Sequence, residues 1–145
     1  MALVDPYSPC ICGSGQKYKW CCQKVEAYAE RSQRLAENGQ FEAALKPLDE
    51  GLAKVPDNSW LLTRKALVEL QLNQLEPARQ TLRTLLHHHP DNLGGMVLLT
   101  RLVAEAEGPA EGAAQFQQAL SNVRDADRDQ LASLAVFVGS ALAEA

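Results

Sequence analysis

No cysteine occurs after Cys22 in a chain of 145 residues. A domain stapled by disulfides along its length is therefore excluded, because such bridges need partners spread through the chain. Aromatic residues make up only 6%, so aliphatic side chains must supply most of the core. Positive charge is not in excess. A net charge of −4 and a pI near 5.3 give no general attraction to nucleic acid or acidic membranes. No apolar run approaches the roughly 20 residues that a membrane-spanning helix needs. The start, Met1 to Pro6, has neither a basic region nor a long apolar stretch, so no secretory leader is expected. A reducing, cytoplasmic setting is the corresponding expectation. Phosphate loops, Gly-rich dinucleotide turns, nucleophile elbows and His-Glu metal signatures are missing. Ser14 lies between glycines without a His–Asp pair near it in sequence. A non-enzymatic protein is expected.

What is present is concentrated. All four cysteines fall within the thirteen residues from Cys10 to Cys22, as the pairs Cys10/Cys12 and Cys21/Cys22. Cysteine scattered for packing does not cluster in this way. Zinc takes four tetrahedral ligands at about 2.3 Å for sulfur, and two tight thiolate pairs match that demand. The loop between the pairs must turn back on itself. Gly13 and Gly15 permit tight backbone there, Ser14 can support a turn, and Pro9 restricts the approach. Adjacent cysteines can share one ion if the chain changes direction between them. Four thiolates would leave the site near −2, with Lys17, Lys19 and Lys24 close in sequence. Four protein ligands close the shell, so one structural zinc is expected, not a catalytic one. The competing reading is a disulfide between the two pairs, which needs an oxidising compartment.

The run from Pro9 to Cys22, with Cys-x-Cys, eight intervening residues and Cys-Cys around Gly13-Ser14-Gly15 and Lys17-Tyr18-Lys19, resembles the SEC-C motif family. The resemblance covers about a tenth of the chain. It implies zinc on Cys10, Cys12, Cys21 and Cys22. It also implies docking, since the similar tail element of the preprotein-translocation ATPase is a docking surface for an export chaperone. Trp20 stands where the family commonly has lysine, and Gln23 where glycine is common, so this surface is more apolar and less basic.

Beyond the cysteines the sequence repeats. A shift of 34 aligns Gly39 with Asn73, Phe41 with Leu75, Ala44 with Ala78, Leu48 with Leu82 and Leu52 with Leu86. Pro56-Asp57-Asn58 aligns with Pro90-Asp91-Asn92. Gly39 and Asn73 can each end a helix in the left-handed conformation. A weaker third copy places Phe116 after Leu82, Leu120 after Leu86, Gly112 after Ala78 and Met96 after Leu62, and Pro109 can open a helix as a first-turn proline. Such a period marks stacked supersecondary units. The pattern resembles the tetratricopeptide repeat family over residues 25 to 124, although its aromatic signature is diluted and Pro47 falls inside an expected helix, where it should produce a kink. The expected fold is all-α: an antiparallel helix-pair solenoid of about three repeats plus a C-terminal helix, with a small N-terminal zinc knuckle. Helices are expected at 18–37, 41–54, 59–72, 75–88, 93–107, 109–123 and 126–143. The domains are 1–24 for the knuckle, 25–124 for the repeats and 125–145 for a capping or association helix.

First helices of the pairs should line an inner groove with Trp60, Thr63, Leu67 and Leu70 or Gln71, beside Ala29, Gln33 and Glu37 on one side and Val97 and Arg101 on the other. Trp60 can serve as a packing plug or a ligand anchor. Arg64, Lys65 and Arg101 do not make a full carboxylate clamp. A second candidate surface is Lys17, Tyr18, Lys19, Trp20 and Lys24. Lysines alternating with aromatics can dock protein or stack single-stranded nucleic acid; the plainer alternative buries Tyr18 or Trp20 under solvated lysines. His87, His88 and His89 are consecutive, and neighbours on a helix diverge by about 100°, so they fit a helix C-terminus better than a metal tract. The last segment is apolar around most of its circumference, which suggests self-association or a longer array. The resulting expectation is a cytoplasmic zinc-binding adaptor that docks proteins or peptides, linked to chaperone or export machinery. A nucleic-acid- or ribosome-associated zinc-knuckle protein is the alternative.

Overall fold

The computed structural model describes residues 5–10 and 15–121. Cys12, the end of the third repeat and the association helix expected at 126–143 lie outside the described residues. Among the described residues six α-helices follow two short 3-10 turns, Tyr18–Trp20 and Cys22–Lys24: α1 (Glu26–Glu37), α2 (Phe41–Lys54), α3 (Ser59–Gln71), α4 (Leu75–His88), α5 (Leu93–Glu107) and α6 (Pro109–Ser121). The only β pairing among the described residues is a single antiparallel bridge between Pro9 and Lys17. The fold is all-α, with adjacent helix pairs of the tetratricopeptide type.

The repeat is visible first in the turns. After α1 the Gln40 N–H donates to the Leu35 carbonyl at 2.8 Å and the Gly39 N–H to Ala36 at 3.0 Å. After α3 the Gln74 N–H donates to Glu69 at 2.8 Å and the Asn73 N–H to Leu70 at 3.0 Å. Both are Schellman caps, and both need a left-handed residue. Gly39 has φ 76° and Asn73 φ 58°. The longer turns repeat as well. The Asn58 N–H donates to Val55 and the Asn92 N–H to His89. The side-chain oxygen of Asn58 then accepts from the Leu61 N–H at 3.0 Å, and that of Asn92 from Gly95 at 2.8 Å. Each asparagine thus satisfies an otherwise orphaned donor at the start of α3 or α5.

The chain divides into two compact units, residues 1–78 and 79–145. In the first, α1 and α2 pack as a hairpin and α3 packs on α2 and α1. Val25, Ala29, Ala44, Leu48, Leu61 and Val68 form its buried core. Ala44, with no exposed surface, leaves room for a neighbouring helix to approach. In the second unit α5 and α6 form a hairpin, with Met96, Leu99, Leu102, Val103 and Phe116 buried.

Two local expectations change. The first α-helix begins at Glu26 rather than at 18, because residues 18–24 form two 3-10 turns separated by Cys21, whose backbone (φ −120°, ψ −107°) is not helical. α2 keeps its expected bounds, Phe41 to Lys54, with Pro47 buried inside it. Ala29 belongs to the core and not to a groove. Pro109 does take the first position of α6.

Candidate metal centre

The knuckle is closed by backbone hydrogen bonds between its two arms. Asp5 starts the first arm by accepting from the Tyr7 N–H through its carboxylate (3.0 Å) and from the Ser8 hydroxyl through its carbonyl (2.7 Å). The second arm returns alongside: the Lys19 N–H donates to Pro6 (2.8 Å), the Tyr18 N–H to Ser8 (3.0 Å) and the Cys10 N–H to Gln16 (2.8 Å). Gly15, at φ 81°, occupies a backbone region that is strained for other residues. This pinch holds Cys10 over the paired 3-10 turns that carry Cys21 and Cys22.

The Sγ atoms of Cys10, Cys21 and Cys22 all lie within 4.8 Å of one another. All three residues are buried, and none of the three is in a disulfide. Sulfurs at about 2.3 Å from one tetrahedral ion stand about 3.8 Å apart, so the trio fits a shared thiophilic ion after small adjustment. Burial strengthens the case. A buried thiolate is costly unless something compensates its charge, and an ion does so directly. Cys12, the fourth thiolate expected from the sequence, lies outside the described residues.

Tyr18 is buried at 3% exposure and belongs to the same cluster as the three cysteines. Of the two readings open for this cluster, its burial matches the one that packs Tyr18 beneath solvated lysines. Burial pushes its phenol well above the ordinary range, and its hydrogen bond to the Glu26 carboxylate raises it further, with smaller contributions from the Glu26 charge and from the Cys22 and Cys10 sulfurs. Glu26 opens α1, so this contact ties the knuckle to the first helix. The lysines flanking Tyr18 are exposed. Lys17 Nζ lies 5.3 Å from the Trp20 ring centroid and 6.0 Å from that of Tyr7, and Lys19 Nζ lies 5.3 Å from Tyr7. Tyr7 and Trp20 are 59% and 52% exposed. Two aromatic faces and two ammonium groups thus stand together on the outside of the buried sulfurs.

The repeat-face candidates are placed differently from one another. Trp60 is partly buried and touches both the cysteine cluster and the core of the first unit, which supports its role as a packing plug. Thr63 is half-buried, its hydroxyl donating to the Ser59 carbonyl at 2.7 Å. Leu67, at 44% exposure, is the open apolar residue of α3. Arg64 donates to the Gln33 side chain at 2.7 Å, and Gln33 in turn donates to Glu37 at 2.9 Å, so these polar groups join α1 to α3. Arg101 is exposed and pairs along α5 with Glu105 at 3.1 Å. His87 and His88 are exposed in the last turn of α4, with rings packed edge to face.

One participant was not legible in the sequence. Asn58, at 3% exposure, donates from Nδ2 to Cys22 Sγ at 3.6 Å while its oxygen caps α3. The aligned Asn92 gave no warning, since the cap alone accounts for the shared residue.

Residues 35–99 match the tetratricopeptide repeat family. Among curated proteins none matches this chain. The matched segment runs from the end of α1 into α5, through both Schellman caps and both asparagine caps. Among the described residues, no helix is long and apolar enough to cross a membrane.

Proposed function

We propose that this chain is a non-enzymatic docking adaptor in which a zinc-thiolate knuckle presents a basic-aromatic surface at the start of a tetratricopeptide-type helix array. Cys10, Cys21 and Cys22, with Cys12, would hold one structural Zn²⁺. The ion would supply charge compensation and a fixed loop geometry. The observation that carries the reading is the juxtaposition of three buried, clustered cysteine sulfurs with the exposed group Tyr7, Lys17, Lys19 and Trp20. A rigid, half-apolar patch of this kind suits a protein segment bearing carboxylates and apolar side chains, because the ammonium groups select the charge and the rings supply contact area. Leu67, Thr63 and Trp60 on α3, and Arg101 on α5, are secondary candidates for peptide contact. The match to the tetratricopeptide family supports partner binding. The link to chaperone or export machinery rests on the SEC-C resemblance, and a reducing cytoplasmic setting is the compartment in which a four-thiolate site would persist.

A photocrosslinking residue at position 20, compared with one at position 67, tests this in extract. Protein adducts at position 20 that need Lys17 and Lys19 and disappear on chelation are the expected result. Adducts dominated by RNA and abolished steeply by added salt would favour the nucleic-acid alternative, since phosphate contacts release counterions. Adducts at position 67 alone would move docking to the repeat face.

A further inference from the structure

Asn58 stands at the junction of two structures that the sequence presents as separate modules. Its carbonyl oxygen caps α3 through the Leu61 N–H (3.0 Å), and its amide nitrogen reaches Cys22 Sγ (3.6 Å). Both ends of one planar amide are therefore engaged, and rotating the group to improve one contact would spoil the other. Cys22 is 1% exposed and Asn58 3% exposed, so water does not readily replace either bond. Two residues along, Trp60 closes over the same sulfur cluster while packing into the core of the first unit. The repeat supplies a matched comparison. Asn92 makes the same cap, to the Gly95 N–H at 2.8 Å, and the four cysteines are all far from it in sequence.

We infer that Asn58 is a positioning residue of the metal centre: its amide N–H holds the Cys22 sulfur in place for the ion, and through its cap it makes the first turn of α3 sensitive to whether the ion is bound. This rests on the thiolate-metal reading. An N–H donor aimed at a ligating sulfur stabilises the thiolate and fixes its direction, and outer partners of this kind commonly change metal affinity by about 10- to 100-fold. The consequence runs in both directions, because two equilibria that share a group are linked. Metal binding should tighten the α3 cap, and a sound cap should tighten metal binding.

The test uses the full chain. Zinc affinity is measured by competition with a chromophoric chelator, and the cobalt-substituted protein is examined for thiolate charge-transfer bands. Wild type is compared with Asn58→Ser and Asn92→Ser. Serine keeps an N-cap acceptor in both but lacks the amide donor. Asn58→Ser should bind zinc at least tenfold more weakly and shift the cobalt bands, while Asn92→Ser should match wild type in both. Equal affinity and unchanged bands in Asn58→Ser, or equal losses in both variants, would overturn the inference. Wild type that yields no cobalt thiolate bands would instead overturn the metal centre itself. Should Asn58→Ser fail to fold, hydrogen exchange on wild type decides: added zinc should protect the Leu61 amide more than the Gly95 amide, and an equal response of the two would overturn the coupling.

Discussion

At the scale of single residues, most of the local conformation follows from backbone freedom and short-range hydrogen bonding. Gly39 and Asn73 end equivalent helices in left-handed conformations, and that equivalence was readable from the 34-residue register. Asparagine tolerates this region less well than glycine and better than alanine. Asn73→Gly should leave stability unchanged or slightly higher, whereas Asn73→Ala should cost about 1 kcal/mol, as measured by urea denaturation. Tyr18 was legible as an aromatic beside lysines, but not as the buried member of the group. Side-chain direction in a 3-10 turn depends on where the turn sits, and the alternation Lys17-Tyr18-Lys19-Trp20 does not say which ring faces inward. Tyr18→Phe should cost about 1–2 kcal/mol near neutrality by removing the bond to Glu26. The folded phenol holds its proton more tightly than the unfolded one, with an ordinary value of 10.0. Above pH 10 the folded state therefore binds more protons than the unfolded state, and stability falls as pH rises. The advantage of wild type over Tyr18→Phe should be complete below pH 10 and shrink above it, which paired denaturation curves across that range would show.

At the scale of helices, packing contains a relation that the repeat alignment hides. Gly51 aligns with Leu85, and Leu61 with Gly95, so each position looks like an independent mismatch. In the structure they form two reciprocal contacts. A Cβ on Gly51 would lie 2.7 Å from Leu61 Cδ1 and 3.2 Å from Tyr28 atoms, while a Cβ on Gly95 would lie 2.8 Å from Leu85 Cδ2. The same helix crossing is filled once by glycine on α2 against leucine on α3, and once by leucine on α4 against glycine on α5. Volume is kept while its donor changes sides, which close-packed interiors tolerate far better than a net gain or loss. Gly51→Ala should destabilise by about 1–2 kcal/mol despite alanine's better helix propensity, because the methyl overpacks the buried Leu61. Leu61→Ala should cost about 2–5 kcal/mol. The double variant should lose at least about 0.5 kcal/mol less than the summed single losses, since the shortened side chain makes room for the added methyl. Additive losses in a urea double-mutant cycle would remove this coupling.

At the scale of the whole chain, the thiols, Tyr18, Asn58 and Trp60 all fall in the unit spanning residues 1–78. If an ion holds the knuckle, its removal should act there first. Chelation should raise amide exchange across residues 5–24 and the first turn of α3, with little change in α5 and α6, as hydrogen-exchange mass spectrometry would show. Uniform loss of protection from α1 through α6 would mean that the ion supports the repeats as one cooperative body. The cysteine quartet and the repeat period mark the two modules clearly in sequence, yet they give no boundary energy. That energy depends on Asn58 and Trp60, which are distant from the cysteines along the chain and adjacent to them in space.

The sequence by itself determined the helix order, the turns and the location of the thiols. These depend on short-range causes: apolar spacing along a helix, a left-handed residue at its end, an asparagine at its start, and ligand types close together in the chain. Tertiary structure alone decided that Tyr18 is buried while Trp20 is exposed, that Trp60 is shared between core and knuckle, that glycine and leucine exchange sides of one crossing, and that a helix cap reaches a cysteine sulfur. Each of these depends on which groups compete for the same volume or the same hydrogen bond, and that competition exists only once distant segments have packed together.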